Sequence, residues 1–233
     1  MKTGLSFKIR KETLTDQIAV LIREAIVNGE FTPGTMISLR ELSQKWKVSR
    51  TPLREAARKI EAEGLIVSVP RKGFMVKMFS AEEVKEIYII RESLEILAVK
   101  LACKNISTKE LEKVEKIHNK IKALLKEYRT PNDLNIKTIQ KLNRLFHFSI
   151  YKASKNKHLV DLISNLWDRS STMIYCILST PYRLKNTVKE HSEILKNLKN
   201  KDEIGVERAL KKHLQISEDI LLKYINKNKD CIR

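Results

Sequence analysis

Glycine and proline almost vanish from the second two thirds of this sequence. Of 6 glycines and 5 prolines in 233 residues, only Gly205, Pro131 and Pro181 lie beyond residue 73. With no strand-like alternation there either, that stretch excludes a β architecture and reads as helix after helix. Cysteine is as scarce. Cys103, Cys176 and Cys231 stand far apart with no C-x-x-C pair, an odd count that excludes a disulfide frame and points to reduced thiols. No apolar run approaches the roughly 18 residues needed to cross a membrane. The first residues, MKTGLSFKIRKETLTDQ, lack the apolar core of a secretion signal. A cytoplasmic protein with no membrane partner is expected.

Acidic residues are the other shortage: 28 Asp and Glu face 46 Lys and Arg, for a net charge of +18. Such a balance favours a polyanionic partner. It does not locate the contact, because residues 1–78 carry 15 basic against 8 acidic side chains and residues 79–233 carry 31 against 20. Hydrophobic residues make up 42% of the chain, enough for a real core in one large or two small domains.

Residues 37–76, ISLRELSQKWKVSRTPLREAARKIEAEGLIVSVPRKGFMV, are the most informative stretch. They read as a short helix, a tight turn, a second helix and a small hairpin. Thr51 is expected to cap the second helix, and Pro52 sits where proline costs no backbone hydrogen bond. Leu53, Ala56, Ala57 and Ile60 share one face and should be buried. Arg50, Arg54 and Arg58 recur beside that stripe and should face solvent. After Gly64, Val67 and Val69 alternate outward, Pro70 to Gly73 turn, and Phe74 and Val76 alternate back. A helix-turn-helix followed by a basic-tipped hairpin is a winged helix, which sets its second helix in the DNA major groove. Ahead of it, Lys11–Asn28 is a helical pattern with Leu14, Ile18, Leu21, Ile22, Ala25 and Ile26 on one side, stopped by Gly29.

The run RELSQKWKVSRTPLREAARKIEAEGLI with its RKGFMV wing resembles the DNA-binding domain of the GntR family of bacterial transcription regulators. One departure is Leu39, where the family commonly has an acidic residue. The resemblance implies double-stranded operator DNA as partner, read by a homodimer. Arg50, Thr51 and Arg54 would meet bases or phosphates, Arg40 would contact base edges or backbone, and Lys72 and Gly73 would place the wing.

Beyond residue 78 the expected fold is an all-helical bundle. The six candidate helices are Ser80–Lys104, Thr108–Glu127, Asn132–Lys152, Lys157–Ser179, Arg183–Asn197 and Asp202–Asn226. Breaks fall at Asn105–Ser107, Arg129–Pro131, Ser154–Asn156 and Thr180–Pro181, and a lysine-rich tail should fray. The chain thus divides into a winged helix-turn-helix domain, 1–78, and a mainly α domain, 79–233, for ligand binding and dimerisation.

His147, His191 and His213 sit on apolar stripes of three different helices, and Asn143 shares a face with His147. Inward imidazoles from facing helices are how a bundle builds a metal site, and this donor set suits Zn²⁺ or a similar ion. Equally, each could be a hydrogen-bonded core histidine. His118 and His158 lack such context and read as surface residues. Arg91 also lies on an apolar stripe, with Val84, Ile87, Tyr88 and Glu95. Burying it demands an anion, either Glu95 or a ligand carboxylate.

The segments RESLEILAVKLA, NRLFHFSIYKASKN, KEHSEILKNLKNKD and ALKKHL resemble the FCD ligand-binding domain of the FadR subfamily of GntR regulators. That resemblance implies a divalent metal, Zn with Ni or Mn as alternatives, on Asn143, His147, His191 and His213. Aspartate is commoner at the position of Asn143. It also implies a small carboxylate-bearing effector held between the metal and Arg91. Two other classes remain in view: a metal-dependent hydrolytic enzyme, and a constitutive DNA binder whose bundle only dimerises.

Overall fold

The computed structural model describes residues 13–127, 136–178 and 183–227. Helix α1 (Leu14–Val27) opens on a reciprocal cap, in which Thr13 accepts from the Asp16 backbone and Asp16 accepts from that of Thr13. Ile18, Ala19, Ile22, Ala25 and Ile26 bury its inner face. Leu14 and Leu21, expected on that face, are 50% and 46% exposed, and Ala19 takes the inner position instead. The expected start of this helix at Lys11 lies outside the described residues.

Helices α2 (Leu39–Trp46) and α3 (Arg50–Ala62) form the helix-turn-helix, and Lys47 turns between them in the left-handed region. Leu53, Ala56, Ala57 and Ile60 are fully buried against α1, as their spacing predicts. The cap differs from expectation. Ser49 precedes the helix without a side-chain cap bond, and Thr51 lies inside the first turn with its side chain exposed. Strands β2 (Ile66–Val69) and β3 (Gly73–Val76) form the wing, and a two-residue β1 (Met36–Ile37) pairs with β3 to complete a three-stranded sheet. Two residues carry no readable alternation, so β1 left no sequence signal. Gly73 holds φ +107 at the wing turn, a conformation that disfavours any Cβ.

The remaining helices are α4 (Ala81–Asn105), α5 (Thr108–Glu127), α6 (Ile136–Lys152), α7 (Lys157–Arg169), α8 (Ser171–Leu178), α9 (Arg183–Lys199) and α10 (Glu203–Lys227). The expected helix 157–179 is in fact two. At Ser170 the side chain bonds back to the Leu166 carbonyl at 2.7 Å and ends α7; hydroxyl residues compete with the helix ladder in this way, and Ser170, Ser171 and Thr172 come in a row. The expected breaks at Arg129–Pro131 and Thr180–Pro181, the start at Asn132, the end at Ser179, Cys231 and the tail lie outside the described residues. Cys103 and Cys176 are buried and form no disulfide with each other. Among the described residues no helix is long and apolar enough to cross a membrane.

One core cluster lies wholly within residues 18–76, and two others join the bundle helices. Helix α8 links the two regions. Its Ile174, Ile177 and Leu178 face the bundle interior, while the Tyr175 ring lies against Gly29 at the end of α1. Gly29 has φ +73, and a Cβ there would overlap ring carbons Cδ2 and Cε2. Gly29→Ala is therefore expected to destabilise by about 1–3 kcal/mol through overpacking and left-handed backbone strain, and it should cost less in a Tyr175→Ala background, where the ring is gone. A urea-denaturation cycle in which the two losses simply add would remove the steric account.

Candidate functional site

On α3 the chain sorts its charges. Glu55 accepts from the Thr15 hydroxyl at 3.1 Å and Lys59 bonds Asp16 at 2.5 Å, so those side chains lean toward α1. Glu61 accepts from the Ser68 backbone at 2.7 Å and ties the wing to the helix. Arg50, Thr51, Arg54, Glu55 and Arg58 line an open hollow of about 330 Å³. Arg50, Thr51 and Arg54 are exposed, as are Arg40 on α2 and Lys72 and Gly73 at the wing tip. None of the salt bridges among the described residues uses Arg40, Arg50, Arg54 or Arg58. An exposed row of unpaired guanidinium groups fits phosphate oxygens and the O6 and N7 acceptors of guanine.

Inside the bundle, α6, α9 and α10 bring His147, His191 and His213 together, with one nitrogen of each within 4.8 Å of the others. All three are buried, and Asn143, 6% exposed, lines one cavity with His147 and His213. Burial holds the His147 and His191 imidazoles well below their ordinary pKa, and lowers His213 too, against the pull of Glu190. They are therefore neutral, the form that ligates metals.

Their neighbours decide which nitrogen is bare. Tyr151 donates its one proton to Glu95 at 2.5 Å, so at 3.3 Å its oxygen can only accept from Nδ1 of His147. Nε2 of His147 is left as a lone pair, and it has no partner. Nδ1 of His213 donates to Glu190 at 2.6 Å, which likewise frees Nε2; a carboxylate behind an imidazole both orients it and raises its basicity. His191 is 0% exposed, stacked on Phe146 at 4.0 Å, and neither ring nitrogen has a partner. Buried nitrogens without hydrogen bonds are costly, and a divalent ion would satisfy one on each ring, so the residues present fit a metal.

Two carboxylates brace this centre. Glu95 accepts from Arg91 Nε at 2.7 Å, Tyr151 at 2.5 Å and Trp167 Nε1 at 3.0 Å. Glu190 takes Arg183 in a two-pronged pair at 2.5 and 2.9 Å besides His213. Burial alone would raise the Glu190 carboxyl, but those donors hold it at about 2. Arg91 and Arg183 both line the cavity. The cavity itself measures about 20 Å³, room for roughly one water molecule or ion. A larger cleft of about 520 Å³ lies between the winged helix and α7, but Arg23 there is paired with Glu63 and Asp168 with Arg144.

His118 is a correction. It was expected at the surface yet is 3% exposed, its Nε2 donating at 2.9 Å to Ser192 Oγ, which itself donates to Val188. It lies 6.1 Å from His191 between ring centroids. His158 is exposed, as read. Arg183, Glu190 and Trp167 were not singled out from sequence. The signal available for the first two was an opposite-charge pair seven residues apart, flanking the His191 stripe on α9.

Residues 14–76 match the family described as bacterial regulatory proteins, gntR family, and residues 86–216 match the FCD domain. An uncharacterized HTH-type transcriptional regulator, YdhC of Bacillus subtilis (strain 168), is 32% identical over 83% of this chain and 82% of its own. The HTH-type transcriptional regulator McbR of Escherichia coli (strain K12) is 26% identical over 94% of this chain and 98% of its own. A solved structure of E. coli McbR/YncC superposes with a TM-score of 0.75 at 25% identity, covering 92% of this chain and 99% of that one. The chain belongs to the GntR family of bacterial transcription regulators, with an FCD domain behind its winged helix.

Proposed function

We propose that this regulator binds operator DNA as a homodimer and that a small carboxylate-bearing effector, held at a divalent metal in the bundle, controls that binding. Arg40, Arg50, Thr51 and Arg54 would meet the duplex, with Lys72 and Gly73 setting the wing. Asn143, His147, His191 and His213 would hold Zn²⁺, or Ni²⁺ or Mn²⁺, and Arg91 would receive the effector. When bound, the metal supplies positive charge and open coordination positions for an anionic ligand. The carrying observation is the meeting of three buried imidazoles within 4.8 Å of one another, with Nε2 of His147 and both nitrogens of His191 left without a hydrogen-bond partner.

An organic acid is too large for about 20 Å³, so its binding must be coupled to opening of the cavity. Arg91 must then share its charge between Glu95 and the ligand. Helix α8 supports a route outward, because it lines the cavity on one side and presses Tyr175 on Gly29 on the other. The size of any response is bounded by the effector's differential affinity for the two arrangements. The hydrolytic reading is disfavoured by the carboxylates beside the histidines. Glu95 and Glu190 are each committed to three donors, which leaves neither free as a base.

The test of the DNA face uses a fragment selected by the wild-type protein from a random-sequence pool. Arg54→Ala is expected to weaken binding by about 1–3 kcal/mol if the residue makes a bidentate base contact, and Arg50→Ala likewise. Folding should be unchanged, since both are exposed. Affinity should also fall steeply with salt. Wild-type affinity in both variants by fluorescence anisotropy would show that α3 does not read the duplex.

A further inference from the structure

Helix α4 packs on α10, α6 and α7 with one side and presents the other to solvent. On the outward side Ile89 is 68%, Ile90 48% and Leu97 47% exposed. Glu82, Glu86, Ser93 and Lys104 are exposed as well, and Lys100 partly so. At about 3.6 residues per turn, Glu82, Glu86, Ile89, Ser93, Leu97, Lys100 and Lys104 fall in one narrow stripe, with Ile90 at its edge. Read along the helix, the stripe runs acidic, apolar, basic.

That order is complementary to its own reverse. Turned end for end about Ser93, the stripe sets Ile89 on Leu97, Glu86 on Lys100 and Glu82 on Lys104 of an identical helix. A parallel arrangement would instead set acid on acid and base on base. Ser93 suits the axis, because its side chain is small and its hydroxyl is already satisfied by the Ile89 carbonyl at 3.0 Å. Lys100 bonds Glu207 at 2.7 Å and Lys104 reaches Glu203 at 3.1 Å on α10. These are solvent-exposed pairs, weak enough to be shared with a second carboxylate.

We propose that a second copy of this chain packs on the outward stripe of α4, antiparallel, about a two-fold axis at Ser93. A closed pair of this kind uses the same patch twice, as isologous dimers do. The inference rests on the homodimer reading and specifies its interface. It also gives α4 two working sides. The partner would lie on one, while Arg91 lines the cavity on the other, and four residues separate the end of the wing strand at Val76 from the start of the helix at Ala81. The spacing of the two recognition helices would then be set by the helix that borders the cavity.

The full chain is tested by sedimentation equilibrium and by cysteine crosslinking. Wild type should run at twice the 27.1 kDa chain mass. Ile89→Glu should raise the dimer dissociation constant at least about tenfold, because two buried carboxylates would meet an apolar centre, with unchanged circular dichroism. In a Cys231→Ser background, Ser93→Cys should crosslink to its own copy under mild oxidation, whereas Leu162→Cys, 55% exposed on α7, should not. A wild-type dimer that Ile89→Glu leaves intact and Ser93→Cys fails to crosslink would place the interface elsewhere and spare the homodimer reading. A monomeric wild type would overturn both.

Discussion

Glu95→Ala is expected to destabilise the protein by about 3–5 kcal/mol, the usual consequence of removing one partner of a buried charge pair. Glu95 is 0% exposed and, among the described residues, accepts from Arg91, itself 4% exposed, at 2.7 Å. The same carboxylate satisfies the Tyr151 hydroxyl and the Trp167 indole. Its loss would strand a cation and two donors in the core. The rings of Tyr88 and Trp167, 4.9 and 5.1 Å from the guanidinium, would compensate only in part. Glu95→Gln keeps an acceptor without the charge and should fall between the two. Urea unfolding checks this, and an alanine variant as stable as wild type would mean that Glu95 does not balance Arg91. The experiment bears on function, because an effector carboxylate arriving at Arg91 would compete with Glu95 for the same guanidinium.

Removing metal should be the second large effect. An ion present at 100 times its dissociation constant stabilises the folded form by about 2.7 kcal/mol. In a chain of this size that is a fall of roughly 5–10 °C in Tm on chelation. His147→Ala and His191→Ala should abolish the difference, while Asn143→Asp should enlarge it by adding a negative charge to the donor set. His118→Ala, outside the three-histidine group, should retain the metal. Acid should act in the same direction. Burial holds His118 at about 4, and His147 and His191 lie well below their ordinary value too. As pH falls from about 6.5 toward 4, the unfolded chain takes up protons that the folded one refuses, so stability is present above that window and drains away within it. Elemental analysis showing no metal, with no thermal shift on adding Zn²⁺, Ni²⁺ or Mn²⁺, would leave these histidines as core residues without a ligand.

By itself the sequence determined whatever depends on near neighbours along the chain. The apolar stripe of α3, the arginines beside it, the wing turn and the inward aspect of His147, His191 and His213 are all set by periodicity within single elements, and periodicity is legible before folding. Tertiary structure decided what depends on meetings between elements. It exposed Leu14 and Leu21, because a helix face is buried only where another element covers it. It closed β1 onto β3 across 36 residues of intervening chain, for which no local pattern exists. It buried His118 beside Ser192 and brought Tyr151 and Trp167 from α6 and α7 onto Glu95 of α4. Above all it brought three imidazoles from three helices within 4.8 Å of one another. Each helix specifies only that its histidine points inward; the distance between them belongs to the packing of α6, α9 and α10.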